Sequence, residues 1–316
     1  MRCFIGETDF QMEEPTVVTI GKFDGRHRGH QKLLAAMKAW KDRWGYKTAV
    51  FTFDMAPASY IQGTPQKVIT TNQERRNNME KMGIDYLVEY PFTKDVAHLS
   101  AEEFLKAIIL GKMNAKAIVV GTDCGFGYQR KGNAQLLFEL KESLGYGLEV
   151  IQKEQDPGQH RDISSTYVKE ELDRGNMEKA NQLLGEPYAI HGRVVHGNHV
   201  GGPILGFPTA NLIPPPEKYL PPFGVYVSRI HVDGKYYGGI TNIGKKPTIT
   251  GENPVGVETF IFGLEKDLYG RKIEVQLLNF ERREQKFDSL EELKKQLERD
   301  KEYGMAYLAN ELYISP

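Results

Sequence analysis

Cysteine is scarce. Cys3 and Cys124 are the only two in the chain, too few for a disulfide framework, and two lone thiols fit a reducing cytoplasm. Neither sign of charge is in excess: 41 Lys and Arg stand against 42 Asp and Glu, for a formal net charge of -1. A broad nucleic-acid-binding surface normally shows as a basic excess, although a small basic site for a phosphate needs none. No run approaches the roughly 18 apolar residues of a membrane span. The opening MRCFIGETDFQMEEP has no basic segment followed by an apolar core, so no secretory signal is expected. Internal repeats are missing, and the prolines at 214–216 and 221–222 are too few for a low-complexity linker.

What is there is a soluble, cytosolic pattern. Its 316 residues suggest two domains at roughly 100–200 residues each, and either half can bury a core without metal or disulfide support. The 32 glycines point to tight turns or close backbone approaches.

The first half alternates apolar runs with helical spacing. Residues 17–20 read as a strand, followed at once by the turn GKFDGRHRGH, and then Leu33, Leu34, Met37, Trp40 and Trp44 recur at helical intervals. Further strands are expected at 48–53, 86–88, 117–120 and 148–151. Ser100 and Glu103 make a capping-box signal between them. Such alternation predicts an α/β domain with a parallel sheet, whose ligands bind beyond the carboxyl ends of the strands. Both Gly-rich turns, GKFDGRHRGH and GTDCGFG, would fall on that edge.

Near Gly185-Glu186-Pro187 the pattern changes. Strands are expected at 188–195, 225–232, 236–242, 257–262 and, in strict period two, 273–277. Asp233-Gly234 between two of them is a hairpin signal. Several short antiparallel strands imply a small barrel or sandwich. A final helix carries Leu290, Leu293 and Leu297 on one face, with Asp288 and Glu291 as its expected cap.

Four constellations could carry chemistry. His27 and His30, at a helix start, present two imidazoles beside helix N-terminal amides, a setting for polyphosphate; a polar turn with two surface histidines is an equal alternative. A metal site there lacks an evident third ligand. Ser164, Ser165 and Thr166 precede a helix, where hydroxyls are usually N-caps; Lys169 one turn on makes a triphosphate grip the sharper alternative. In Gly206-Phe207-Pro208-Thr209-Ala210-Asn211, the Thr and Asn oxygens suit Mg²⁺, against a plain turn leaving a strand, which Pro208 favours. Glu258 sits in an apolar strand-like run, and a buried carboxylate must be paired or functional; a solvent-facing strand glutamate is the commoner case. His191, His196 and His199 match no structural zinc pattern.

Taken in order, TIGKFDGRHRGHQKLL, VVGTDCGFG, ISSTYVKEEL, NQLLGEPYAIHGRVVHG, LGFPTANL, FGVY, TNIGKKPT, VETFIF and KFDSLEELKKQLERDKE resemble the bacterial bifunctional riboflavin kinase/FAD synthetase family over nearly the whole chain. The resemblance implies a Rossmann-like nucleotidyltransferase domain over residues 1–186, which adenylylates FMN, and a riboflavin kinase β-barrel with a terminal helix over 187–316. It implies Gly21, Phe23, Asp24, Gly25, His27, Gly29 and His30 as the ATP-phosphate turn. Ser164, Ser165, Thr166 and Lys169 become the second phosphate grip, and Asp123 and Phe126 part of the turn approaching the flavin. In the kinase half it implies Gly206 and Pro208 at ATP, Thr209 and Asn211 as Mg²⁺–ATP ligands, and Glu258 as catalytic base. Substrates and products would be ATP, riboflavin, FMN and FAD, with Mg²⁺ as cofactor. No nucleic acid, membrane or obligatory protein partner is expected. The sequence departs from the family's usual residues at Ala56, Cys124, Lys169 and 201–203. These departures keep open a kinase with a weakened adenylyltransferase half, or a flavin- or nucleotide-binding regulatory protein.

Overall fold

A computed structural model describes residues 1–196, 207–245 and 255–314. The contacts divide the chain into two compact units, Met1–Ser165 and Thr166–Pro316.

In the first unit the elements run β1 (Arg2–Ile5), β2 (Thr16–Ile20), α1 (Arg28–Trp44), β3 (Lys47–Phe53), α2 (Pro57–Gln62), α3 (Asn72–Lys81), β4 (Tyr86–Tyr90), α4 (Lys94–His98), α5 (Ala101–Phe104), β5 (Ala115–Gly121), α6 (Ala134–Leu144) and β6 (Gly147–Ile151). A π-helix, Leu105–Lys112, continues α5, and β7 (Gln155–Asp156) and β8 (Arg161–Asp162) form a short hairpin. The six long strands make a parallel sheet in the order β1-β4-β3-β2-β5-β6.

Parallel strands are buried on both faces and read as continuous apolar runs. β2 and β3 do so, with Val17, Val50, Leu87, Ala117 and Val119 packed on one face and Val18, Phe51, Val88, Ile118 and Val120 on the other. Helix α1 buries Leu34 and Met37 and stops at Gly45, which takes the left-handed conformation at φ 71° and donates its N–H to the Lys41 carbonyl. Trp44, expected on the buried face, is the last residue of that helix and is exposed. Ser100 and Glu103 form the expected capping box. Edge strand β1 carried no signal in the sequence. The winding of the sheet reverses between neighbours β2 and β5, so the turns after those two strands flank the switch point where doubly wound sheets bind ligands.

The second unit contains α7 (Ser165–Asp173, whose first residue closes the first unit), α8 (Met177–Leu184), β9 (Tyr188–Arg193), β10 (Thr209–Leu212), β11 (Gly224–Val232), β12 (Lys235–Lys245), β13 (Val255–Ile261), β14 (Lys272–Arg283) and α9 (Leu290–Ile314). Its strands form one antiparallel sheet, β10-β13-β12-β11-β14-β9. Past the end of β9, Val195 bridges to Asn211 of β10, so the two edges of the sheet curl toward closure. Asp233 and Gly234 have φ of 50° and 77° and pair Val232 with Lys235, the hairpin geometry that Asp-Gly favours. The cap of α9 is Ser289 rather than the expected Asp288. Its hydroxyl accepts the Glu292 N–H at 3.2 Å, while the Glu292 carboxylate accepts the Asp288 N–H at 3.2 Å.

Candidate active sites

The chain leaves β2 through Gly21 and enters α1 at His27, whose side chain makes no cap bond. Between them Phe23 and Gly25 hold φ of 49° and 76°. A left-handed aromatic residue costs about 1–2 kcal/mol, so the surrounding contacts must fix it. They do: the Phe23 ring is buried, lies 4.8 Å from the His30 ring, and would sit 3.0 Å from a side chain at Gly21. Gly29 permits a similar close approach, since a Cβ there would lie 3.2 Å from His27 Nδ1.

The two imidazoles stack at 3.7 Å. His30 Nδ1 donates to the Gly25 carbonyl at 2.7 Å, which sets its neutral tautomer and leaves Nε2 as an acceptor. Burial, with the neighbouring His30, pushes His27 down to about 2, and burial pushes His30 down to about 4, partly offset by the Gly25 bond, Asp24 and Asp123. Both rings are neutral near pH 7. Among the described residues His27 Nδ1 is buried without a hydrogen-bond partner, a cost normally tolerated only where a ligand or strain gives a reason.

Ser165, the first residue of α7, does not cap its own helix in the usual sense. Its hydroxyl donates to the Asp24 carbonyl at 2.6 Å, which joins the 163–165 segment to the turn between β2 and α1. Ser164 is adjacent and half-buried. Thr166 and Lys169 follow on α7 in the second unit; the Lys169 ammonium lies 5.2 Å over the Tyr219 ring, whose hydroxyl bonds Asp173.

Sequence reasoning missed the residues that hold this turn from the opposite side. The Asp24 carboxylate accepts the N–H of Ile69 at 2.7 Å and of Thr70 at 3.2 Å. Thr70 Oγ1 accepts the Gly25 N–H at 3.1 Å. Asp24 therefore shapes the loop as much as it could face a ligand. Arg75 places its guanidinium at the ends of three strands, bonding Glu89 of β4 at 2.5 Å, with Lys22 and Phe53 carbonyls at 3.4 and 3.5 Å. Glu89 is fully buried between Arg75 and Arg76.

Beyond β5, Asp123 is exposed and reaches Lys153 at 3.4 Å. Phe126 is buried in the core against Phe104 and pairs through its backbone with Gly132. Burial raises the Cys124 thiol to about 11. Ala56 precedes Pro57 as the N-cap of α2 and makes no side-chain cap bond.

In the second unit, Thr209 and Asn211 lie on a strand and not in a turn. Pro208 directly precedes β10, and β10 is an edge strand, where a missing N–H is tolerated. Asn211 stands directly opposite Glu258, and Glu258 directly opposite Asn242 on the next strand. Residues paired in this way share a face of the sheet. Thr209, two residues from Asn211, is on the same face, and the Asn211 amide donates to the Thr209 carbonyl at 3.0 Å and its hydroxyl at 3.3 Å. Glu258 is half-buried, between the two alternatives weighed from sequence. Asn242 donates to Glu284 at 3.4 Å; neither was expected. On the other face Ser228, Thr241 and Thr259 satisfy one another at 2.7 and 2.9 Å. Gly206, His199 and 201–203 lie outside the described residues. His191 pairs with Glu274 at 3.3 Å and His196 stacks on Tyr269, and no three-residue His/Cys/Asp/Glu metal cluster occurs among the described residues.

A family model described as FAD synthetase matches residues 9–167, and one described as riboflavin kinase matches 184–308. The bifunctional riboflavin kinase/FMN adenylyltransferase of Bacillus subtilis (strain 168) is 35% identical over 302 residues, covering 93% of both chains. That of Escherichia coli (strain K12) is 36% identical over 290 residues, covering 91% of both. Among solved structures, one from Streptococcus pneumoniae, named as a macrolide-efflux protein, superposes with a TM-score of 0.83 at 32% identity, covering 96% of this chain and 98% of that one.

Proposed function

The chain belongs to the bifunctional riboflavin kinase/FMN adenylyltransferase family, and from that premise we propose which of its residues perform each reaction. The enzyme phosphorylates riboflavin to FMN with ATP and adenylylates FMN to FAD. A match to both family models weighs against a kinase with a weakened adenylyltransferase half.

In adenylylation the FMN phosphate attacks the α-phosphorus of ATP, and the bond to pyrophosphate breaks. The attacking oxygen is already anionic, so no general base is needed. The work is positioning and charge stabilisation. We assign it to the turn from Gly21 to His30, with Gly25 and Gly29 allowing close approach and Phe23 wedging the loop. His27 and His30 would meet the phosphates beside the N-terminus of α1, and Asp24 would shape the loop. Ser164 and Ser165 supply hydroxyls from the adjoining segment, while Thr166 and Lys169 continue along α7. The single observation that carries this assignment is the Ser165 bond to the Asp24 carbonyl, which unites two motifs 141 residues apart. Asp123 is accessible to a flavin or nucleotide. Phe126 supports its turn from within the core.

In phosphorylation the ribityl 5′-hydroxyl attacks the γ-phosphorus of ATP. We assign Glu258 as the base that takes the hydroxyl proton. Thr209 and Asn211 present two hard oxygen donors on the face that carries Glu258, a set that fits Mg²⁺ bound chiefly through phosphates and water. Bound there, Mg²⁺ would neutralise charge on the transferring phosphoryl group. Pro208 and Gly206 would border the nucleotide. We divide the two activities at 186/187, where the sequence pattern changes. The unpaired thiols Cys3 and Cys124 support action in the cytoplasm.

The test is a product assay. Purified enzyme with ATP and Mg²⁺ receives riboflavin in one tube and FMN in another, and the flavins are separated by chromatography. FMN and FAD from the first tube and FAD from the second are expected. FAD formation that survives His30→Ala would remove the turn from the mechanism.

A further inference from the structure

The Asp24–Gly25 peptide is held on both edges. Its carbonyl accepts the Ser165 hydroxyl at 2.6 Å, and its N–H donates to Thr70 Oγ1 at 3.1 Å. Thr70 also gives its own N–H to the Asp24 carboxylate. The next carbonyl, that of Gly25, receives Nδ1–H of His30. Thr70 is buried and lies 45 residues from Gly25 in sequence.

We propose that Thr70 is a positioning residue for FMN adenylylation, acting through Gly25 to fix the carbonyl that orients His30. The inference rests on the assignment of His30 to the phosphate turn. Gly25 has φ 76°, in a region that glycine enters and leaves at little cost. Gly25 therefore does not hold the conformation by itself. The Thr70 hydroxyl and the Asp24 carboxylate supply that restraint, and the Ser165 hydroxyl prevents the peptide from rotating about its flanking bonds. A Gly25 carbonyl aimed elsewhere would leave His30 free to turn or to take the other tautomer, with its ring no longer set for a phosphate.

Thr70→Val keeps the shape of the side chain and removes the acceptor, stranding the buried Gly25 N–H. Thr70→Ser restores the oxygen without the methyl group. In FAD formation from FMN, Thr70→Val should raise KM for ATP or lower kcat/KM by about tenfold, and Thr70→Ser should return it close to wild type. Riboflavin phosphorylation by the same preparations reports whether the chain is folded and should stay unchanged in both. Wild-type kinetics in Thr70→Val would overturn the proposal, and so would failure of serine to rescue, since the methyl group would then be what matters. Parallel loss of both activities would make Thr70 a folding residue and overturn it equally. His30→Ala separates the two levels. If that variant loses FAD formation while Thr70→Val does not, the positioning role fails and the phosphate turn stands. If His30→Ala keeps FAD formation, the phosphate turn itself fails.

Discussion

His30 gives its Nδ1 proton to the Gly25 carbonyl 2.7 Å away, so the nitrogen left over, Nε2, is an acceptor while the ring is neutral. Phosphate oxygens are acceptors too. An ATP phosphate can bond this nitrogen only once it has gained a proton. The ring is held neutral chiefly by burial, which lowers it from 6.5 to about 4. Nucleotide binding at pH 7 should therefore take up a proton. Calorimetric titration with ATP in two buffers of different ionisation enthalpy reads that uptake directly, and His30→Asn should abolish it. Equal enthalpies in the two buffers for the wild type would sink the idea.

The same shift has a consequence for the ligand-free protein. Between about pH 4 and 6.5 the unfolded chain binds a proton on His30 that the folded state refuses, so stability rises with pH in that window. His27, lowered to about 2 by burial and by His30, acts in the same direction over a wider range. Thermal midpoints should fall as pH drops from 6.5 toward 4, and the slope should flatten in His27→Gln and His30→Gln. A wild-type midpoint that is level across the window would contradict the buried, neutral pair.

Some of this was legible in the sequence and some could not be. The turns after β2 and β5 announce themselves because closely spaced glycines, joined after β2 by two histidines, stand behind apolar runs, and the Asp233-Gly234 hairpin because its conformation selects its residues. Thr70, Arg75 and Glu89 gave no such signal. Their partners are 45, 53 and 14 residues away, and nothing local marks a threonine as the acceptor for a distant glycine. Pro208 argued for a turn because proline lacks an N–H, yet an edge strand has an N–H row to spare. The cap of α9 moved from Asp288 to Ser289 because both are competent caps with a glutamate three residues on, and only tertiary packing chooses between them.

Glu89 should be costly to neutralise. It is buried between Arg75 and Arg76 at 2.5 Å from each, and removing one member of a buried ionic group strands the others. Glu89→Gln should destabilise the first unit by about 3–5 kcal/mol. Replacing Glu89 with Leu and both arginines with Met should recover most of that loss, because no charge is left unpaired. Denaturant melts of the variants decide it; a single variant as stable as wild type would show that water reaches the cluster.

Gly224 has no room for a side chain. A Cβ there would clash with the Arg282 carbonyl oxygen and lie 2.7 Å from the Phe280 ring, and the carbonyl belongs to the paired strand β14. Gly224→Ala must push β11 off β14, where Gly224 pairs with Arg283. The expected cost is about 1–3 kcal/mol, with riboflavin phosphorylation lost at a lower temperature than in wild type. Paired activity and melting curves read it, and unchanged curves would mean that the two strands separate without penalty.

Glu258 offers the sharpest division between the two reactions. It faces Asn211 across one strand pair and Asn242 across the other, so its carboxylate is flanked by carboxamides, and Glu258→Gln changes its basicity with little change of shape. A carboxamide cannot accept the ribityl proton. Removing a general base costs about 10²–10⁴ in rate, so FMN formation should fall by that factor with KM for ATP nearly constant, since Thr209 and Asn211, the proposed Mg²⁺–ATP donors, are unchanged. FAD formation from supplied FMN needs no base and should continue at the wild-type rate. If instead the variant raises KM for ATP and keeps kcat, Glu258 holds the nucleotide and the proton must leave by another route. Equal damage to both reactions would mean that the two chemistries share this residue, which the separate sheets give no reason to expect.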